Sequence, residues 1–221
     1  MPGKKIFFFF NVQHYVDLLE GKISLSRNLP LILVNDSRVF SFLNKIFLGE
    51  RITQLRCIDW MRSFLKQLAQ TQEPKRVYFL LTAERRDTFA LFQRYFQKQF
   101  PSSKSIIRGK TVPYEEVKKE RWKKKWTKEI NAFSPHFLLV GWGSPYGHRW
   151  IVRHFLSLKA EKILEIGGAI DFILNLKSEA PPSWQRLGLE WFFRLLHEPR
   201  RVWRRYFLHN PKIFKYFLRE M

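Results

Sequence analysis

At 221 residues the chain can hold one large domain or two small ones with a real core, and its 45 % hydrophobic content excludes a disordered chain. Lys and Arg number 40 against 19 acids, a net charge of +21, which says nothing of fold but predicts attraction to an anionic lipid surface, nucleic acid or a polyanionic substrate. The single cysteine, Cys57, excludes an internal disulfide and reads as a small buried apolar residue rather than a reactive thiol.

Taken in chain order, the first apolar run follows Lys4 and Lys5 in the manner of a signal peptide. It is too short for one, and Asn11, Gln13 and His14 follow at once, so it is expected to be a buried strand. Further strands are expected at residues 29–34, 76–81, 105–108, 137–141 and 162–166, with the first at 6–10. Helical patterns lie between them at 37–48, 57–69, 85–99, 114–133 and 147–158. This alternation predicts an α/β, Rossmann-like fold with mostly parallel sheets flanked by helices. The strands lack polar alternation, which suits a sheet covered on both faces. The polar segment 71–75 contains Pro74 and reads as a linker between two lobes. Residues 118–128 are dense in charge and place Trp122 and Trp126 on one helix face, as either a solvated helix with two anchors or a phosphate- or lipid-facing patch.

Beyond Pro181 short amphipathic helices are expected. Leu187, Trp191 and Leu195 oppose Arg186, Glu190, Arg194 and His197; after Pro199, Arg200, Arg201, Arg204 and Arg205 oppose Val202, Trp203, Tyr206 and Phe207; after Pro211 a third apolar face carries Ile213, Phe214 and Phe217. Basic residues opposite aromatics suit an anionic bilayer surface, where each Lys or Arg contributes on the order of 1 kcal/mol. No apolar run reaches the ~20 residues needed to span a bilayer, so the expected protein is cytoplasmic and peripheral on the inner face of the membrane.

Several chemistries lack their residues. There is no Asp-x-Asp metal clamp, no His/Cys set at zinc spacing and no phosphate-binding Gly-x-x-x-x-Gly-Lys-Ser/Thr loop; no metal and no cofactor is expected. The turn from Gly141 to Gly147 follows a strong strand and precedes a helix, where backbone N–H groups either meet a phosphate or simply make a turn. Asp36 follows a buried strand at the opening of a helix, the edge at which parallel α/β sheets build sites; it reads as a general base or as a helix N-cap. Asp59 reads as an acid favoured by a helix start. His148 and His154 read as surface-helix residues.

Four stretches carry a family resemblance: residues 135–145; Gly167-Gly168-Ala169-Ile170-Asp171-Phe172; Ala180-Pro181-Pro182-Ser183-Trp184; and residues 188–201, from Gly188-Leu189-Glu190-Trp191 to Glu198-Pro199-Arg200-Arg201, running on to Arg204-Arg205-Tyr206. On these, the chain resembles the WecG/TagA/CpsF glycosyltransferases (glycosyltransferase family 26) over essentially its whole length. The resemblance implies a metal-independent inverting transferase that moves a sugar, N-acetylmannosamine-type or hexose, from a UDP-sugar to a polyprenyl-diphosphate-linked saccharide in cell-wall or exopolysaccharide synthesis. It implies Asp36 as the base and Asn11 beside it. Gly141, Gly143, Ser144, Pro145, Gly167 and Asp171 would hold UDP, and Arg194, Arg200, Arg201, Arg204 and Arg205 would meet the acceptor diphosphate or the membrane. The implied organisation is an N-terminal α/β lobe at 1–72, a nucleotide-sugar-binding lobe at 73–182 and a basic, aromatic helical appendage at 183–221, with self-association allowed. Nucleic acid would satisfy the same charge, but no recognition motif supports it.

The chain departs from the family pattern in its pocket. Phe9 stands for Thr, Ser37 for Gly, Pro145-Tyr146-Gly147-His148 for Pro-Lys-Gln-Glu, Glu179-Ala180-Pro181 for Arg-Ala-Pro, and Thr82-Ala83-Glu84-Arg85 for a glycine-rich turn. These substitutions hold open a second reading, a catalytically degraded member acting as a membrane-bound binding or scaffold protein.

Overall fold

Apolar runs too short for helices become strands when helices cover both faces; four such central strands, with two more exposed ones at the edges, join here in one parallel sheet. The computed structural model describes residues 3–83, 87–119 and 124–220, with the side chains of 201, 219 and 220 left aside. The strands are β1 (Lys5–Phe10), β2 (Leu31–Asn35), β3 (Arg76–Ala83), β4 (Ile106–Pro113), β5 (Phe137–Gly141) and β6 (Lys162–Glu165), in the order β2-β1-β6-β5-β3-β4. The expected lobe boundary near residue 72 falls between a helix and β3, and strands from either side of it share the sheet: β1 pairs with β6, Phe8 opposite Glu165.

Side chains alternate across the sheet. Ile6, Phe8 and Phe10 face α1 (Val12–Leu19), α5 (Tyr114–Lys118), α6 (Lys124–Phe133) and α7 (Tyr146–His154), in a core with Tyr78, Trp142 and Trp150. Phe9, Phe79 and Leu164 face α3 (Cys57–Gln70), α4 (Thr88–Gln99) and α8 (Ala169–Ile173), in a core with Met61 and Phe92. Each fully buried side chain of this size contributes roughly 1.5–3 kcal/mol, so the paired layers account for the sheet's placement without polar alternation.

The C-terminal segment forms α9 (Pro182–Arg186), α10 (Glu190–His197), α11 (Pro199–Arg204), a widened π-type turn (Arg205–His209), a 3-10 turn (Asn210–Ile213) and α12 (Phe214–Glu220). Gly188, at φ +74°, separates α9 from α10, so the single helix expected at 186–197 is broken. This segment also builds a third core: Ile213 and the fully buried Phe217 pack with Val12 and Val16 of α1 and with Phe40 and Leu43 of α2 (Arg38–Leu48).

Other expectations shift in detail. Of the helix expected at 114–133 the described residues form α5 and α6, with Lys119 closing α5, and Trp122 lies outside the described residues, as do Glu84 and Arg85. Trp126 is buried against Trp142, ring centroids 5.7 Å apart, so it is a core anchor rather than part of an exposed patch. His148 is 1 % exposed and stacks on Phe8 at 4.2 Å, which corrects its surface reading; α7 turns that residue inward because it lies over the sheet. Helix α1, unanticipated, starts at Asn11, whose side chain accepts from the Gln13 N–H. Cys57 is buried and its thiol is pushed well above its ordinary range by burial, in keeping with an inert packing role.

Candidate functional site

In a parallel sheet every strand delivers its following loop to one edge, and sites form there. Here that edge opens into a cleft of ≈ 1090 Å³, on the scale of a site for a substantial ligand. Its walls come from the ends of β1, β2, β5 and β6 and from the C-terminal helices.

Asp36 lines the cleft just beyond β2. Its N–H donates to the Phe10 carbonyl (2.7 Å), and its Oδ1 accepts from the Cys57 N–H at the start of α3 (2.8 Å). Burial pushes this carboxyl up to about 6, the Cys57 hydrogen bond pulling the other way and Arg194 and His14 adding smaller downward contributions. The capping duty for α2 falls on Ser37, whose side chain accepts from the Phe40 N–H (3.1 Å). Asp36 is therefore not the N-cap, and Ser37 in place of a glycine has a structural use.

Asn11 also lines the cleft, within 3.1 Å of His14 Nδ1. Gly141, Gly143, Ser144, Gly167 and Asp171 line it as well. Pro145, joined to Ser144 by a cis peptide, sits behind the lining at the start of α7. Two of these groups are already engaged. Ser144 donates to Asp17 Oδ2 (2.6 Å), and Lys177 donates to Asp171.

The five C-terminal arginines separate. Arg194 and Arg205 turn into the cleft. Arg194 lies 4.9 Å over the Phe172 ring, and Arg205 4.8 Å over Tyr206. Arg200 and Arg204 are exposed, and the Arg201 side chain lies outside the described residues. Trp203, Phe207, Leu208, Phe214 and Leu218 are exposed on the same segment, and Phe42 and Ile46 are exposed on α2, whose Phe47 packs on Phe214 and Phe217. Among the described residues no helix is long and apolar enough to cross a membrane.

Sequence reasoning missed three sets of residues. Arg56, at the start of α3, pairs with Glu179 (2.5 Å), Glu190 (2.9 Å) and Asp59 (3.2 Å), and Arg62 also pairs with Glu179 (2.5 Å). The acid at 179 is thus matched by two cations of α3, which fixes this cleft wall. The second set ties the C-terminal segment to α1: buried Asp17 faces His209 (3.2 Å), and Glu20 pairs with Lys22 (2.6 Å) and Lys212. Those two lysines hold the Glu20 carboxyl down to about 2. Asp17, Glu20 and His209 come within a metal-like spacing of 4.8 Å, but Lys22 and Lys212 already bring positive charge there. The third set is buried His14 and Glu165, 3.7 Å apart on the cleft lining. The one signal for Glu165 was an acid ending an otherwise apolar buried strand.

A parallel sheet whose carboxyl edge opens into a cleft lined by Asp36, Arg194 and Arg205 defines a Rossmann-like α/β protein. Residues 2–221 match the Glycosyl transferase WecG/TagA/CpsF family, and the chain belongs to that family. Similar proteins include two from strains of Staphylococcus aureus, both named N-acetylglucosaminyldiphosphoundecaprenol N-acetyl-beta-D-mannosaminyltransferase. Each is 30 % identical over 89 residues, which is 40 % of this chain and 34 % of the relative's length.

Proposed function

We propose that the protein transfers a sugar from a UDP-sugar to a polyprenyl-diphosphate-linked saccharide on the inner face of the plasma membrane, with inversion and without a metal. The observation that carries this is Asp36: a carboxyl raised to about 6 at the carboxyl edge of the sheet, in the same cleft as Arg194 and Arg205. A base so placed works near neutral pH. It would take the proton of the acceptor hydroxyl as that oxygen bonds to the anomeric carbon and the bond to UDP breaks. Charge building on the departing diphosphate needs fixed positive partners, and Arg194 and Arg205 are the cleft's candidates. The staphylococcal relatives' name points to an amino sugar and an undecaprenyl-linked acceptor; a hexose fits the same chemistry.

The exposed apolar side chains of the C-terminal segment, beside Arg200 and Arg204, would hold the open side of the cleft against an anionic bilayer, where such an acceptor resides. The direct test is UDP release from a panel of UDP-sugars with an undecaprenyl-diphosphate N-acetylglucosamine acceptor in anionic vesicles. Turnover that needs both donor and acceptor and survives a chelator supports the proposal. No turnover with any donor, together with tight vesicle binding, would favour the scaffold reading instead.

A further inference from the structure

One polar pair in the cleft has no use in the chemistry above. Glu165 ends β6 in the middle of the sheet, flanked by Phe8 of β1 and Val140 of β5. Its side chain is 1 % exposed, and neither carboxylate oxygen has a hydrogen bond among the described residues. The nearest charge partner is His14 Nε2 at 3.7 Å, beyond hydrogen-bond range and likewise without a hydrogen bond. Buried polar groups are nearly always satisfied, because an unmade hydrogen bond there is costly. A buried carboxylate with open acceptor positions on a cleft lining is therefore suited to a ligand's donors.

The local sequence makes room for this acid. Gly147, in the first turn of α7, has no space for a side chain: a Cβ there would lie 2.7 Å from Glu165 Oε1. His148, the next residue, stacks on Phe8 and occupies its own hydrogen bond with the Ser24 carbonyl (2.9 Å). Glu165 thus sits in a niche formed by a glycine on one side and His14 on the other, and both it and His14 open on the cleft that holds Asp36.

We infer that Glu165, braced by His14, is the residue that reads the sugar of the donor: it accepts hydrogen bonds from a neutral, hydroxyl-rich sugar and rejects one that carries a carboxylate. The inference rests on the proposed donor cleft. An ionised carboxylate only accepts hydrogen bonds, so hydroxyl and amide N–H groups satisfy it. A uronate brings a second negative charge against the buried Glu165 carboxylate, and like charges brought together there oppose binding.

Calorimetry on the full chain separates this from the parent proposal, with UDP, UDP-glucose and UDP-glucuronate as probes. The two sugars differ only at C6, hydroxymethyl against carboxylate. The expected result is that UDP binds and that UDP-glucose binds at least about tenfold more tightly than UDP-glucuronate. Glu165→Gln should bring the two sugars within about threefold of one another, leaving UDP affinity unchanged. Gly147→Ala, which suits a helix and displaces the carboxylate without altering charge, should weaken UDP-glucose while sparing UDP. An unchanged sugar ratio in Glu165→Gln, or no preference in the parent chain, would overturn the assignment while leaving the UDP site standing. Failure of UDP itself to bind would overturn the donor cleft and this assignment with it.

Discussion

Replacing Asp36 with Asn should raise stability while abolishing turnover, and the pH dependence of both can be worked out from one group. The carboxyl moves from 3.8 to about 6 on folding, mainly because burial disfavours its charge. That gap corresponds to about 3 kcal/mol of destabilisation when the group is ionised. A folded-state value above the unfolded one means that the folded state binds the extra proton. Stability from this group is complete below about 3.8 and is lost as pH rises to about 6. Asn keeps an acceptor for the Cys57 N–H and never ionises. Urea denaturation of both proteins across pH 4–8 should therefore show little difference at pH 4 and a gain of up to ~3 kcal/mol for Asp36→Asn above pH 6.5. Turnover by the parent should fall about tenfold per pH unit below about 6, and the variant should lose on the order of 10²–10⁴ in kcat. A variant that is less stable at every pH, or one that turns over at the parental rate, would refute the placement of Asp36 as a buried base.

Three further outcomes follow from the same geometry. Arg194→Ala and Arg205→Ala should each slow UDP-dependent turnover by roughly 10- to 1000-fold, whereas Arg204→Ala should leave turnover in detergent nearly unchanged, by steady-state kinetics. Phe207→Ser with Leu208→Ser should weaken sedimentation with anionic vesicles at least about tenfold, since both side chains are 58 % exposed on the parent, while circular dichroism stays unchanged. Phe217→Ala should cost about 3–5 kcal/mol in denaturant unfolding, because Phe217 is fully buried against Phe40 and Phe47.

The sheet was legible because its central strands β1, β3, β5 and β6 are mostly buried and read as apolar runs, residues 137–141 matching β5 end for end, although the edge strands β2 and β4 leave Ile32, Leu33 and Ile106 exposed. Helix α1 was not, because Gln13, His14 and Asp17 interrupt its apolar pattern. Their polar atoms serve the cleft and the C-terminal segment rather than water, so burial and polarity part company. Asp36 could be singled out because it follows an apolar run at the opening of a helix, and Asn11 through the family resemblance. Glu165 and His14 could not, since a lone acid and a lone histidine carry no spacing signal until β1 pairs with β6 across some 150 residues of chain. The basic stripe after Pro199 was visible as composition. Which arginine turns inward was not, because Arg194 of α10 and Arg205 after α11 reach the cleft only once this segment docks, while Arg200 and Arg204 stay exposed.

The third core places Phe217 against Phe40, and Ile213 among residues of α1 and α2. During synthesis those N-terminal helices emerge well over 150 residues before their covering partner. Until residues 205–217 arrive, Val12, Val16 and Phe40 present an uncovered apolar seam, and the cleft lacks Arg205. The cleft and the third core therefore mature together, so a chain stalled or cleaved before that segment docks is both sticky and unable to complete the cleft.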